Sequence, residues 1–155
     1  MLYDIDQLMP TDLITLAEPP TEKEAAIEHL LDVVVDAGRV ADREAALAAL
    51  LTREEETTTG VGKGIAIPHA QTDAIDQASV AFCRSSAGLD FDSMDDEPAH
   101  LVFMILVPEG GSDEHLGILA SLSRSLMHDD VRESLHEAET PEEVQATMEA
   151  AIDDD

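Results

Sequence analysis

The chain has 155 residues, 44% of them apolar, and carries 35 acidic against 8 basic residues for a formal net charge of −27. That length is enough for one domain with its own core, and the apolar share excludes an acidic disordered chain. The charge excludes nucleic acid and anionic lipid surfaces as partners, since both would be repelled.

A single cysteine, Cys83, excludes an internal disulfide and fits a reducing compartment. The N-terminus lacks the basic and apolar regions of a secretory signal, and the longest apolar run, Leu101 to Pro108, is too short to span a bilayer. The expectation is one cytoplasmic domain over residues 1–155, with no direct membrane insertion. The acids are spread along the chain, although it ends in three aspartates. Such a shell suits a salt-rich, halophilic cytoplasm, because at molar salt the screening length is only about 3 Å and self-repulsion is suppressed.

In chain order, Leu13 to Leu16 reads as a short strand stopped by Pro19-Pro20. Thr21 and Glu24 have the spacing of a capping box, opening a helix with Ile27, Leu30, Leu31 and Val34 on one face and Gly38 as its stop. Asp42 caps a second helix that ends near Arg53 and leads into a polar run, Glu54 to Thr59. A glycine-rich loop then feeds a short apolar strand ending at Pro68. Ala78 to Arg84 and Ala99 to Val107 read as two further strands. Ser112 is the expected cap of a helix reaching about His128, with Leu116, Leu119, Leu122 and Leu126 on one face. A short helix follows from Asp129. The last helix opens on Thr140-Pro141-Glu142-Glu143, which supplies an N-cap, a proline at the first helical position and a capping-box glutamate. Strands separated by helices predict an α/β domain with helices covering a central sheet, parallel or mixed.

The glycines at 60, 62 and 64 suggest nucleotide binding, but neither phosphate loop fits. A P-loop needs Ser or Thr after Gly-Lys, where Gly64 stands, and a glycine where Thr57 stands. A dinucleotide fingerprint needs a third glycine in place of Ile65, and a strand rather than a helix before the loop. The loop instead leads to a histidine. Pro68 stiffens the backbone before His69, while Ile65 and Ile67 anchor its strand. A neutral imidazole, with an ordinary pKa of about 6.5, is a competent nucleophile for a phosphoryl group. Such a site needs donors for the phosphoryl oxygens. Arg53 offers a planar fork, Lys63 a point charge, and His115 a ring near a helix N-terminus. Each also has a plainer reading: Lys63 as a solvated turn residue, Arg53 as a helix-end charge, His115 as a surface residue. The six histidines show no metal-ligand spacing, and Cys83, mid-strand, reads as core.

Taken whole, LLTREEETTTGVGKGIAIPHA closely resembles the active-site stretch of enzyme IIA of the fructose/mannitol class of sugar phosphotransferase systems. The shared pattern is Arg-Glu at a helix end, a Thr-Gly-rich loop and Gly-Ile-Ala-Ile-Pro-His. The resemblance implies that His69 is the phosphorylated nucleophile, that Arg53, sixteen residues earlier, clamps the phosphoryl group, and that His115 of EHLGILASLSRSL hydrogen-bonds it. It implies a mixed sheet sandwiched between helices. It also implies a phosphocarrier without cofactor or metal, taking phosphate from phospho-HPr and passing it to the cysteine of an enzyme IIB for uptake of a sugar such as fructose. The alternative within the same family is a regulatory protein whose His69 phosphorylation switches a protein–protein contact.

Overall fold

The computed structural model describes residues 4–153. Among the described residues, six α-helices and five strands follow the order α1 (Ile5–Leu8), α2 (Lys23–Asp36), α3 (Arg43–Glu56), β1 (Gly60–Gly62), β2 (Ile65–Ala66), β3 (His69–Gln71), β4 (Ser79–Leu89), β5 (Ala99–Val107), α4 (Ser112–Leu126), α5 (Asp129–Glu137) and α6 (Pro141–Asp153).

The strand β5 is the axis of the sheet. Its run of apolar side chains is the pattern of a strand buried on both faces. Val102, Met104 and Leu106 enter one core with Leu30, Leu31 and Leu50 of α2 and α3. Leu101, Phe103, Ile105 and Val107 enter a second core with Ile118 and Leu122 of α4 and Val144 and Met148 of α6. The sheet is therefore sandwiched between helices, as the sequence resemblance implied. It is mixed: β4 pairs antiparallel with β5, with Phe82 opposite Phe103 and their rings edge to face at 5.0 Å. On the other side, β2 and β3 both run parallel to β5. Ile65 pairs with Leu101 and His69 with Ile105, so one register runs through both segments.

Pro68 sits at the break between β2 and β3. Having no N–H, it cannot donate to a strand on its far side, yet its carbonyl still accepts from the amide of Ile105 at 3.0 Å. The hairpin of β1 and β2 turns at Lys63 and Gly64, which both have positive φ (59° and 78°), the geometry of a two-residue primed turn. This hairpin covers β2 and stops at Ile67, whose amide donates to the Thr59 carbonyl at 2.9 Å. Beyond it, β3 lies at the sheet edge beside α3.

Several helix ends match the sequence chemistry. Asp42 caps α3 by accepting from the Ala45 amide at 3.1 Å. Gly38, with φ +80°, closes α2 while its amide bonds Val35 O and that of Arg39 bonds Val34 O, the two bonds of a Schellman motif. At α6, Thr140 and Glu143 exchange the reciprocal bonds of a capping box at 3.2 Å each.

Other expectations need correction. The strand expected at 13–16 is a 3₁₀ turn over Thr11–Leu13 followed by a single parallel bridge, Ile14 to Phe82, so the segment pairs with β4 at one residue rather than along its length. α2 starts at Lys23, with Glu22 at the cap and no side-chain capping bond, so the box at Thr21 does not form. α1 was not legible at all; it is a single turn capped by Asp4. α3 runs a turn-fraction further, to Glu56, and β4 continues to Leu89. α4 follows Gly111 and opens at Ser112 itself, not after it. Its buried face carries His115, Ile118 and Leu122, which leaves Leu116 62% exposed instead of in the core.

Candidate functional site

The parallel register of β3 against β5, the last turn of α3 and the first turn of α4 bring Arg53, His69 and His115 to one cleft. It has a volume of about 490 Å³ and is lined by Thr52, Arg53 and Glu56 of α3, His69 and Gln71 of β3, and His115, with Ala48, Ala49 and Ala70 keeping its walls small.

His69 opens β3 and is 8% exposed. Its Nδ1 lies 2.6 Å from the carbonyl oxygen of Ile67. A carbonyl only accepts, so Nδ1 carries the proton, and in the neutral ring Nε2 holds the lone pair. Burial pushes the His69 pKa below the ordinary imidazole value, and the Arg53 charge pushes the same way; the Ile67 bond and the Glu54 carboxylate oppose them. The result favours the neutral, nucleophilic ring near pH 7.

His115 is 7% exposed, and its ring centroid lies 5.0 Å from that of His69, with the planes tilted by 43°. Burial first, then His69 and Arg53, lower its pKa. Its Nδ1 is buried with no hydrogen-bond partner among the described residues. A buried polar atom left so costs free energy unless a further group meets it. Arg53 donates from Nη1 to the Thr57 carbonyl at 3.1 Å, which uses one of the five N–H donors of its fork.

The loop between α3 and β1 is held by Glu54 and Thr59, which the sequence places in the polar run after Arg53 without a role. Glu54 accepts from the amide (3.0 Å) and the hydroxyl (2.5 Å) of Thr59 and pairs with Lys23 Nζ at 2.6 Å. The signal was its place directly after Arg53 and five residues before Thr59. Lys63 stands at the hairpin tip, where its amide donates to Asp95 Oδ2 at 2.9 Å; it does not line the cleft, in keeping with a turn residue. Cys83 has no exposed surface and burial pushes its thiol up to about 12, so it is core and not a nucleophile.

Residues 7–151 match the family model of the phosphoenolpyruvate-dependent sugar phosphotransferase system, EIIA 2. The chain belongs to this family, whose EIIA components transfer phosphoryl groups. It is 61% identical over 150 residues, 97% of each chain, to the fructose-specific EIIA component of Haloferax volcanii, a halophilic archaeon. It is 31% identical to a nitrogen regulatory protein of Pseudomonas aeruginosa, covering 89% of this chain and 90% of that one. Among solved structures, it resembles the nitrogen regulatory protein IIA-Ntr of Neisseria meningitidis, with a TM-score of 0.82 and 31% identity over 93% of this chain and 98% of that one. It also resembles the mannitol enzyme IIA of Escherichia coli, solved in complex with phosphorylated enzyme IIB (TM-score 0.77, 29% identity, 90% and 95% covered). Among the described residues, no helix is long and apolar enough to cross a membrane.

Proposed function

We propose that this protein accepts a phosphoryl group on Nε2 of His69 from phospho-HPr and passes it to an enzyme IIB cysteine, serving uptake and phosphorylation of fructose in the cytoplasm. The observation that carries this reading is the hydrogen bond from His69 Nδ1 to Ile67 O, which leaves the lone pair on Nε2. In the first transfer, that lone pair attacks phosphorus, a new N–P bond forms, and the N–P bond to the donor histidine breaks with its electron pair returning to the donor nitrogen. In the second, the IIB thiolate forms an S–P bond and the His69 N–P bond breaks in turn. Arg53 clamps two phosphoryl oxygens, and the unpartnered Nδ1 of His115, when protonated, donates to a third. The dianionic phosphoryl group raises the His115 pKa and so favours that proton. The small-walled cleft and exposed Leu116 beside it offer the apolar rim on which the donor and acceptor proteins dock.

Fructose as the sugar is supported by the 61% identical relative, which is a fructose-specific component. The test is ³²P transfer from phospho-HPr to wild type and to His69→Ala in molar KCl, followed by onward transfer to IIB and a sugar panel. Labelling of wild type alone is expected; full labelling of a folded His69→Ala protein would end the proposal. A regulatory reading, in which phosphorylation of His69 switches a protein contact, is favoured by the resemblance to nitrogen regulatory proteins. It predicts a labelled protein that hands no phosphate to any IIB.

A further inference from the structure

The hydrogen bonds around His69 continue beyond the cleft. The Ile67 carbonyl that accepts from His69 Nδ1 belongs to a residue whose own amide donates to the Thr59 carbonyl at 2.9 Å. Thr59 in turn donates its amide and its hydroxyl to the two carboxylate oxygens of Glu54. Glu54 is held by Lys23 of α2, whose ammonium also lies 5.2 Å from the ring centroid of Phe91. The path thus runs from a partly exposed ion pair through two residues of the loop and strand to the imidazole. Every link is at hydrogen-bond distance.

The path joins the two sides of the cleft. Glu54 follows Arg53 on the last turn of α3, and Ile67 precedes His69 by two residues. The carboxylate therefore ties the end of the helix that carries the guanidinium to the strand that carries the imidazole. Thr59 is 3% exposed and the Glu54 side chain 7%, so little water competes for these bonds. The loop itself is packed closely: a Cβ on Gly60 would come within 2.3 Å of Ser93 Oγ.

We propose that Glu54 is the positioning residue of the site: through Thr59 and Ile67 it fixes the Nδ1–H tautomer and the orientation of His69 relative to Arg53. It touches no reacting atom. Its carboxylate accepts both Thr59 donors and so fixes that residue; the Thr59 carbonyl accepts from the Ile67 amide, and the Ile67 carbonyl holds the ring. Lys23 neutralises the carboxylate, which allows it to stay this far from water. The inference rests on the reading of His69 as phosphoryl acceptor, but its primary readout does not.

The experiment is ¹⁵N NMR of histidine-labelled protein in molar KCl, with wild type, Glu54→Ala, Glu54→Gln and Thr59→Val compared. Wild type is expected to show His69 as the Nδ1–H tautomer. Glu54→Ala is expected to give a mixture of tautomers and to slow transfer from phospho-HPr by about tenfold to a hundredfold, the scale on which misplaced groups lose rate, with KM for the donor unchanged. Glu54→Gln, which keeps one acceptor oxygen, is expected to recover part of both. If Glu54→Ala does not fold, Thr59→Val, which removes only the hydroxyl, is read by the same criteria and shifts the tautomer in the same direction. An unchanged tautomer in a folded variant overturns the proposal, whether or not the rate falls. Wild type that shows the Nδ1–H form but takes no phosphate overturns the phosphocarrier reading and leaves the positioning role standing.

Discussion

The rings of His69 and His115 lie 5.0 Å apart, both nearly buried, and each pKa is held below its ordinary value. Their burial, the largest cause of both shifts, has a consequence for stability. Because the folded state resists protonating these rings and the unfolded state does not, their contribution is fully present above about pH 6.5 and is lost as pH falls from there through the folded values. Chemical melts between pH 7.5 and 5 in molar KCl should therefore show stability dropping on the acid side. His136, also lowered chiefly by burial, adds to the slope. His69→Asn and His115→Asn should each flatten it by up to one proton taken up on unfolding, and a slope unaltered in both would count against the pair.

Arg53→Lys is predicted to slow phosphoryl transfer while leaving the melting temperature nearly unchanged. Lysine keeps the charge but replaces a planar fork of five donors by a point charge with three, so it loses the parallel pair of bonds to two oxygens that the fork makes beside its bond to Thr57 O. The loss of one charge-assisted bond, about 1.5–3 kcal/mol, corresponds to roughly a tenfold to hundredfold slower rate. Stopped-flow transfer from phospho-HPr checks this, and a wild-type rate would remove Arg53 from the site.

Gly60→Ala should be among the more damaging small substitutions in the chain. Its added methyl would meet Ser93 Oγ at 2.3 Å and Phe91 Cβ at 3.0 Å. Overpacking of this kind costs about 1–3 kcal/mol, and here it pushes on the loop that holds Thr59. Gly38→Ala meets nothing within 4 Å but sits at φ +80°, so only backbone strain of about 1 kcal/mol is expected. Urea melts of the two variants should rank them in that order.

Salt should stabilise this protein more than an ordinary domain. A net charge of −27 on 155 residues repels itself at low ionic strength, and the Debye length of about 10 Å at 0.1 M falls to about 3 Å at 1 M. The melting temperature should rise steadily across a KCl series from 0.1 to 3 M. A flat series would show that the acidic surface is not an adaptation to salt, despite the Haloferax relative.

Much of this fold was legible because its signals are local. Asp42, Gly38 and the Thr140–Glu143 pair mark helix ends by bonds that span a few residues, and the unbroken apolar run of β5 declares a strand covered on both faces. Where local signals misled, a distant neighbour had decided. Leu116 fits a leucine stripe, yet α4 turns His115 inward against His69 and leaves Leu116 exposed. Leu13 to Leu16 has strand composition, but β4 offers it only one bridge.

The same division runs through the site. By itself, the sequence determined which residues are in question: the spacing of Arg53, the glycines, Pro68 and His69, with His115 downstream, marks the family without any coordinates. Only the tertiary structure decided which nitrogen of His69 is free, that His115 faces it, and that Glu54 reaches it through Thr59 and Ile67. These depend on the parallel register of β2 and β3 on β5, and on α3 and α4 meeting at one sheet edge. Register and packing are set by burial across segments far apart in the chain, and no periodicity within one segment carries that information.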